Sequence, residues 1–179
     1  MDENKLELKD IAGYIVRGLK CLNKEGKVRY ISGILLGEPG CDLELFDDGG
    51  NIESSYIEDI KPILHPISDL KKEIIVEGYN GDKPFIPMEK IAEILNFDGY
   101  CGIYTSFSVS DGEIHFSIWG GWVVDLDYSF NIIRSKGNES NAISFKMSMQ
   151  IIELLNQWHF DYRGLIQKGL AIDINTIKR

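Results

Sequence analysis

The stretch FSVSDGEIHFSIWGGWVVDLDY, Phe107 to Tyr128, decides how the second half of the chain folds. Asp111-Gly112 is a two-residue hairpin signal. With that turn, Val109 faces Ile114, Phe107 faces Phe116 and Thr105 faces Ile118, so one side is apolar. The other side sets Ser110 against Glu113, Ser108 against His115, Ser106 against Ser117 and Tyr104 against Trp119. A one-residue slip exchanges the two sides, so the register is tightly specified. The next turn holds Gly120-Gly121. A two-residue loop there sets Asp125 against Phe116 and Asp127 against Ile114, which buries two carboxylates at high cost. A three-residue loop, Trp119-Gly120-Gly121, instead pairs Ile118 with Trp122, Phe116 with Val124 and Ile114 with Leu126. The sequence therefore predicts a bulged turn with glycine at a positive φ.

That register lines up Ser108, His115 and Asp125 across three strands. Directly opposed Cβ atoms lie about 4.5–5.5 Å apart, so the row has the order of a nucleophile, a base and an orienting acid. Glu113 falls opposite Asp127, which makes Glu113, His115, Asp125 and Asp127 a candidate set for a divalent metal. Any polar sheet face built from Ser, His, Asp and Glu produces such rows. The chain has no G-x-S-x-G elbow, phosphate loop, dinucleotide fingerprint or zinc-ligand spacing. The expectation is a solvated face with ordinary cross-strand pairs and no cofactor. Tyr104 and Trp119 fall on that polar face and are candidates for an exposed contact patch. Trp122, Tyr128 and Trp158 read as core.

Working outward, MSMQIIELLNQW has helical spacing, with Met147, Ile151, Leu154, Leu155 and Trp158 on one face. It predicts the main helix over about 148–159, N-capped by Ser148, after a strand-like AISFKM. A second helix, Met88 to Asn96, follows Pro87 and places Met88, Ile91, Ala92 and Leu95 together. EIIVEG reads as a strand and YNGD as a turn. A short helix from Leu6 to Ile15 puts Leu8, Ile11, Ala12 and Ile15 on one face. Strands flank NKEG, and DLELF and NIESSYI flank DDGG, giving two hairpins. The two prolines of IKPILHPI keep it out of a central strand, with His65 in a loop. Asp161 is placed to cap the turn DYRGLIQKG, and Gly169 to end it. The expected fold is α+β. A small, curled antiparallel unit occupies 1–66, and 67–179 forms a second unit around a β-meander at 101–134.

The chain has 179 residues and is 44% hydrophobic, which allows a core without staples. Cys21, Cys41 and Cys101 are odd in number and widely spaced, so they read as free thiols of a reducing compartment. The start, MDENKLELKD, has no apolar segment of leader length, and no run is long enough to span a membrane. Cytoplasmic placement is expected. A net charge of −9 disfavours nucleic acid. The acids are unevenly spread. Tyr30 to Ile60 holds no Lys or Arg but contains Glu38, Asp42, Glu44, Asp47, Asp48, Glu53, Glu58 and Asp59. This run is a solvated face or a surface for a basic protein partner. DDGGNIE lacks the ligand alternation of a calcium loop. The interaction candidates are Glu44, Asp47, Asp48, Glu53, Glu58 and Asp59, with Tyr104 and Trp119.

Two segments carry a resemblance: YIEDIKPILHPISDLKKEI, Tyr56 to Ile74, and HFDYRGLIQKGLAIDINT, His159 to Thr176. They resemble a group of proteins encoded by phages and prophages of anaerobic gut bacteria, which carry IKPILRPLSDL-like and HFD-x-x-GLIxKGLAI-like stretches. His65 stands where the group's first pattern has arginine. The match covers about a fifth of the chain. It implies a phage or mobile-element setting and brings no activity, fold or site. Together these readings favour a non-enzymatic accessory or interaction protein of a phage or prophage. The alternative is a small hydrolase or metal-dependent enzyme on the 104–128 sheet. Oligomeric state is left open.

Overall fold

The computed structural model describes residues 5–15, 18–37, 40–95, 104–110, 113–118, 122–127, 132–136 and 145–177. In chain order the elements are α1 (Leu8–Ile15), β1 (Lys20–Leu22), β2 (Val28–Gly37), β3 (Gly40–Phe46), β4 (Ile52–Tyr56) and β5 (Lys61–Leu64). They continue with α2 (Pro87–Leu95), β6 (Tyr104–Ser110), β7 (Glu113–Ile118), β8 (Trp122–Asp127), β9 (Ile132–Lys136), α3 (Phe145–Gln157) and β10 (Ile172–Asp173). The fold is α+β. It has two compact units, Met1–Pro66 with Asn156–Arg179, and Ile67–Leu155. The sequence assigns the C-terminal segment to the second unit, but backbone pairing ties it to the first.

The first unit is a six-stranded sheet in the order β10-β5-β1-β2-β3-β4. Only the β10–β5 pair is parallel. Both expected hairpins form, and an amide-bearing or acidic side chain holds each turn. Asn23 Oδ1 accepts from Glu25 N–H (3.1 Å) and Lys27 N–H (2.9 Å). Asp47 Oδ1 does the same for Gly49 N–H and Asn51 N–H, both at 2.9 Å. Gly50 takes φ +77°, which a side chain would resist. Cys21, Ile31, Leu43 and Leu45 are buried. Alternate positions form a row across the other face: Lys20, Tyr30, Phe46 and Ile52 are opposed in turn. The Tyr30 and Phe46 rings stack at 5.0 Å, with Lys20 Nζ 4.8 Å from the Tyr30 ring centre.

The part of the first resemblance segment that falls in this unit, Tyr56 to Pro66, lies beside the second segment. His65 N–H donates to the His159 carbonyl, and Asp161 N–H donates to the His65 carbonyl, both at 2.8 Å. The Phe160 ring stacks on His65 at 5.3 Å. Ile172 and Asp173 then pair with Ile63 and Leu64. His65 is therefore part of a sheet extension rather than a loop. IKPIL is also an interior strand, contrary to the proline argument. The reason is that its flanking ladders are offset. β1 pairs only with Lys61 and Pro62, and β10 only with Ile63 and Leu64, so the side of Pro62 away from β1 has no ladder to lose. The helix α1 buries Ile11 and Tyr14, whereas Ala12 is exposed. Its buried stripe is thus rotated from the expected one, because the Tyr14 hydroxyl donates to the Phe160 carbonyl at 2.9 Å.

In the second unit α2 starts on Pro87 and buries Met88 and Ile91. It packs against the 3-10 turn Ile67–Lys71. EIIVEG makes no strand. It forms one bridge, Ile74 to Phe85, since no longer partner lies beside it among the described residues. The meander has four strands in the order β6-β7-β8-β9. The helix α3 begins at Phe145, so the FKM of AISFKM is helix rather than strand, the rest of that segment lies outside the described residues, and Ser148 lies inside the helix. Ile151 and Leu155 are buried at i and i+4 of this helix.

Candidate interaction groove and the polar row of the meander

The meander has the register read from its sequence on most of its length. Ser108 is opposite His115, His115 opposite Asp125, and Glu113 opposite Asp127. Ile118 opposite Trp122 leaves three residues between strands, Trp119 to Gly121, which lie outside the described residues. Two features depart from expectation. A bulge at Thr105 sets Tyr104 opposite Ile118, not Trp119. The slip shortens the pairing by one residue, so the Tyr104–Trp119 pair does not form in that register. The fourth strand adds Arg134 opposite Asp125, with a register shift beside it. The row is thus Ser108, His115, Asp125, Arg134, and the acid of the supposed triad has a cationic position on its other side. No group of three or more metal-ligating side chains occurs among the described residues.

The acids from Asp42 to Asp59 occupy the first unit, and the structure brings them cations from outside their own stretch. Glu53 Oε1 accepts from Asn23 Nδ2 at 2.8 Å and from Arg29 Nε at 3.0 Å. The Arg29 side chain is only 14% exposed, so this pair is structural. Lys5 Nζ lies 3.0 Å from Glu58, and Lys24 Nζ 3.5 Å from Asp59. Glu44 accepts from Ser32, the extra residue of a bulge in β2, at 2.8 Å. Asp47 is committed to its turn, and hydrogen bonds from Asn51 hold its carboxyl below the usual range. Asp48 is exposed at the same turn. Asp42 makes no ion pair with a described residue.

Asn23 of the β1–β2 turn reaches Glu53 of β4, and beside that contact lies a groove of about 380 Å³. Asn23, Glu25, Asp42, Glu53, Tyr56 and Asp59 line it, with Lys24. Tyr56 is 56% exposed. Below it Cys21 is fully buried, and burial pushes its thiol up to about 12, with the Glu53 charge adding and Arg29 opposing. This thiol is no nucleophile at neutral pH. Cys41 and Cys101 have no described side chains.

Of the predicted interaction residues, the groove takes in Glu53 and Asp59, while Glu44, Asp47, Asp48 and Glu58 lie outside its lining. Asp42, Glu25 and Tyr56 were missed. The signal for Asp42 and Tyr56 is their register: they are directly opposed on β3 and β4. No protein-family model, curated protein or solved structure matches the chain. No described helix is long and apolar enough to cross a membrane.

Proposed function

We propose that the chain is a non-enzymatic interaction protein of a phage or prophage whose first unit binds a basic segment of a protein partner. The observation that carries this reading is the groove, with four acids to one lysine and an exposed tyrosine at its edge. A carboxylate–aromatic groove suits Lys and Arg, which pair with the acid and lie on the ring. The Lys24–Asp59 pair is exposed and individually weak, so an incoming cation can displace Lys24, whereas Glu53 stays tied to Arg29. The phage setting rests on the resemblance of Tyr56–Ile74 and His159–Thr176 and is checked by the genes that flank this one. The binding claim is tested by fluorescence anisotropy with two labelled heptapeptides, one alternating Lys and Val, the other Glu and Val. The reading expects the cationic peptide alone to bind, more weakly as salt rises. Equal binding of both peptides, or of neither, refutes it.

A second reading places hydrolytic or metal chemistry on the meander. The alignment of Ser108, His115 and Asp125 favours it, while Arg134 beside Asp125 weakens it. It requires a divalent ion to raise the melting temperature, or Ser108→Ala to abolish ester hydrolysis.

A further inference from the structure

We infer that β4 is a docking edge, at which an extended basic segment of the partner adds as a further strand of the six-stranded sheet. This inference deepens the interaction reading and rests on it. The Asp47 N–H donates to the Asn51 carbonyl at 3.2 Å, which makes 47 and 51 a hydrogen-bonded pair. Such pairs alternate along an antiparallel ladder. Leu45–Glu53 and Leu43–Ser55 are therefore bonded, and Phe46–Ile52, Glu44–Ser54 and Asp42–Tyr56 are not. The backbone N–H and C=O of Ile52, Ser54 and Tyr56 thus point away from β3. β4 ends the sheet among the described residues. The Tyr56 carbonyl is taken up by the 3-10 turn Ile57–Asp59 that follows it and by the Ser55 hydroxyl at 3.3 Å, so the edge offered to a new strand is Ile52, Ser54 and the Tyr56 N–H.

Sheet edges are ordinarily protected by Lys, Pro, a bulge or a cover. IESSY has neither Lys nor Pro, and its pairing to β3 runs without a bulge. Ile52 is 68% and Tyr56 56% exposed, on the same face. The groove runs along this strand, since Glu53, Ser54 and Tyr56 line it. An added strand would present alternate side chains to two surroundings. One set lies on the Ile52 side, with Tyr56 and Asp42 at its end, and the other on the Glu53 side, with Glu25 and Asp59. The fitting segment alternates apolar and basic residues. A second copy of this chain fits less well. A β4–β4 pair centred on Ser54 opposes Ile52 to Tyr56, but it brings together two grooves in each of which acids outnumber the lining lysine four to one.

The test uses the whole chain and an acetylated, amidated heptapeptide, Lys-Val-Lys-Ile-Lys-Val-Lys, followed by NMR amide exchange. Ile52, Ser54 and Tyr56 are expected to exchange at least tenfold more slowly with peptide, while Glu53 and Ser55 change little. N-methylation of the three apolar peptide residues or of the inner two lysines should abolish binding for one set and spare it for the other. Salt-sensitive binding without this alternation overturns strand addition and leaves the interaction reading standing. No binding overturns both. Protection of the same amides in the free chain, rising with protein concentration, overturns the basic occupant in favour of a second copy.

Discussion

Gly13→Ala tests how the C-terminal segment is fastened to α1. Glycine inside a helix is about 1 kcal/mol less favourable than alanine, so the substitution should stabilise an open site. Gly13 is not open. An added Cβ would lie 2.7 Å from Asn156 Oδ1, 2.8 Å from Nδ2 and 2.9 Å from Cγ. Ordinary contact begins at 3.4 Å, so Asn156 must retreat by about 0.7 Å. It cannot do so freely, because its Oδ1 accepts from the Tyr162 hydroxyl at 2.9 Å. Tyr162 is itself buried and lies against Tyr14, ring centres 5.7 Å apart. Overpacking costs about 1–3 kcal/mol, and a weakened hydrogen bond about 0.5–1.5 kcal/mol more. The net expectation is a loss of about 1–3 kcal/mol. Urea unfolding followed by circular dichroism measures it. Asn156→Ala removes the obstacle, so the double variant should exceed the sum of the singles by about 1–3 kcal/mol. A gain of about 1 kcal/mol for Gly13→Ala alone, or an additive cycle, would refute the packing argument.

Further outcomes follow from the buried groups. Asp161 is 6% exposed and accepts from Leu165 N–H at 2.8 Å and Ile166 N–H at 2.7 Å. Burial raises its carboxyl above the ordinary 3.8, against the pull of those bonds. Its stabilising contribution is then complete below 3.8 and declines as pH rises through the folded value. Asp161→Asn gives up one acceptor and should cost about 1–3 kcal/mol at pH 4, with the gap to wild type narrowing toward neutrality. A widening gap in the urea midpoints contradicts this. The Cys21 thiol should resist iodoacetamide in the native chain and react fully in urea, as read by peptide mass spectrometry. Rapid native labelling would contradict its burial.

Much of this architecture was legible in the sequence, for reasons visible at particular residues. Alternation fixed the meander because Ile114, Phe116, Val124 and Leu126 share one side, and one slipped residue would mix them with His115 and Asp125. Asn23 and Asp47 announce their turns locally. The long-range pairings were not legible. Nothing near IKPIL indicates that β10 arrives a hundred residues later, so its prolines argued for an edge. Trp119 and the bulge at Thr105 illustrate a second limit, since a bulge leaves the two-residue period intact on either side. The candidate groove was half visible. The acid run stood out, but the cations that answer it, Lys5, Lys24 and Arg29, come from outside the run. The exposed edge of β4 depends on strand order, which local pattern does not carry.

Recognition of a basic partner by one groove, rather than by net charge, is tested most directly by reversing single acids. Asp42 lines that groove without an ion pair to a described residue, and Asp48 sits exposed at the β3–β4 turn outside it. Each reversal to lysine changes the net charge of −9 equally. Reversing a groove charge removes one attraction and adds one repulsion, each up to about 1 kcal/mol at an exposed position. The dissociation constant of the Lys-Val peptide should rise about tenfold in Asp42→Lys and less than about twofold in Asp48→Lys. Equal weakening by both substitutions would contradict the claim.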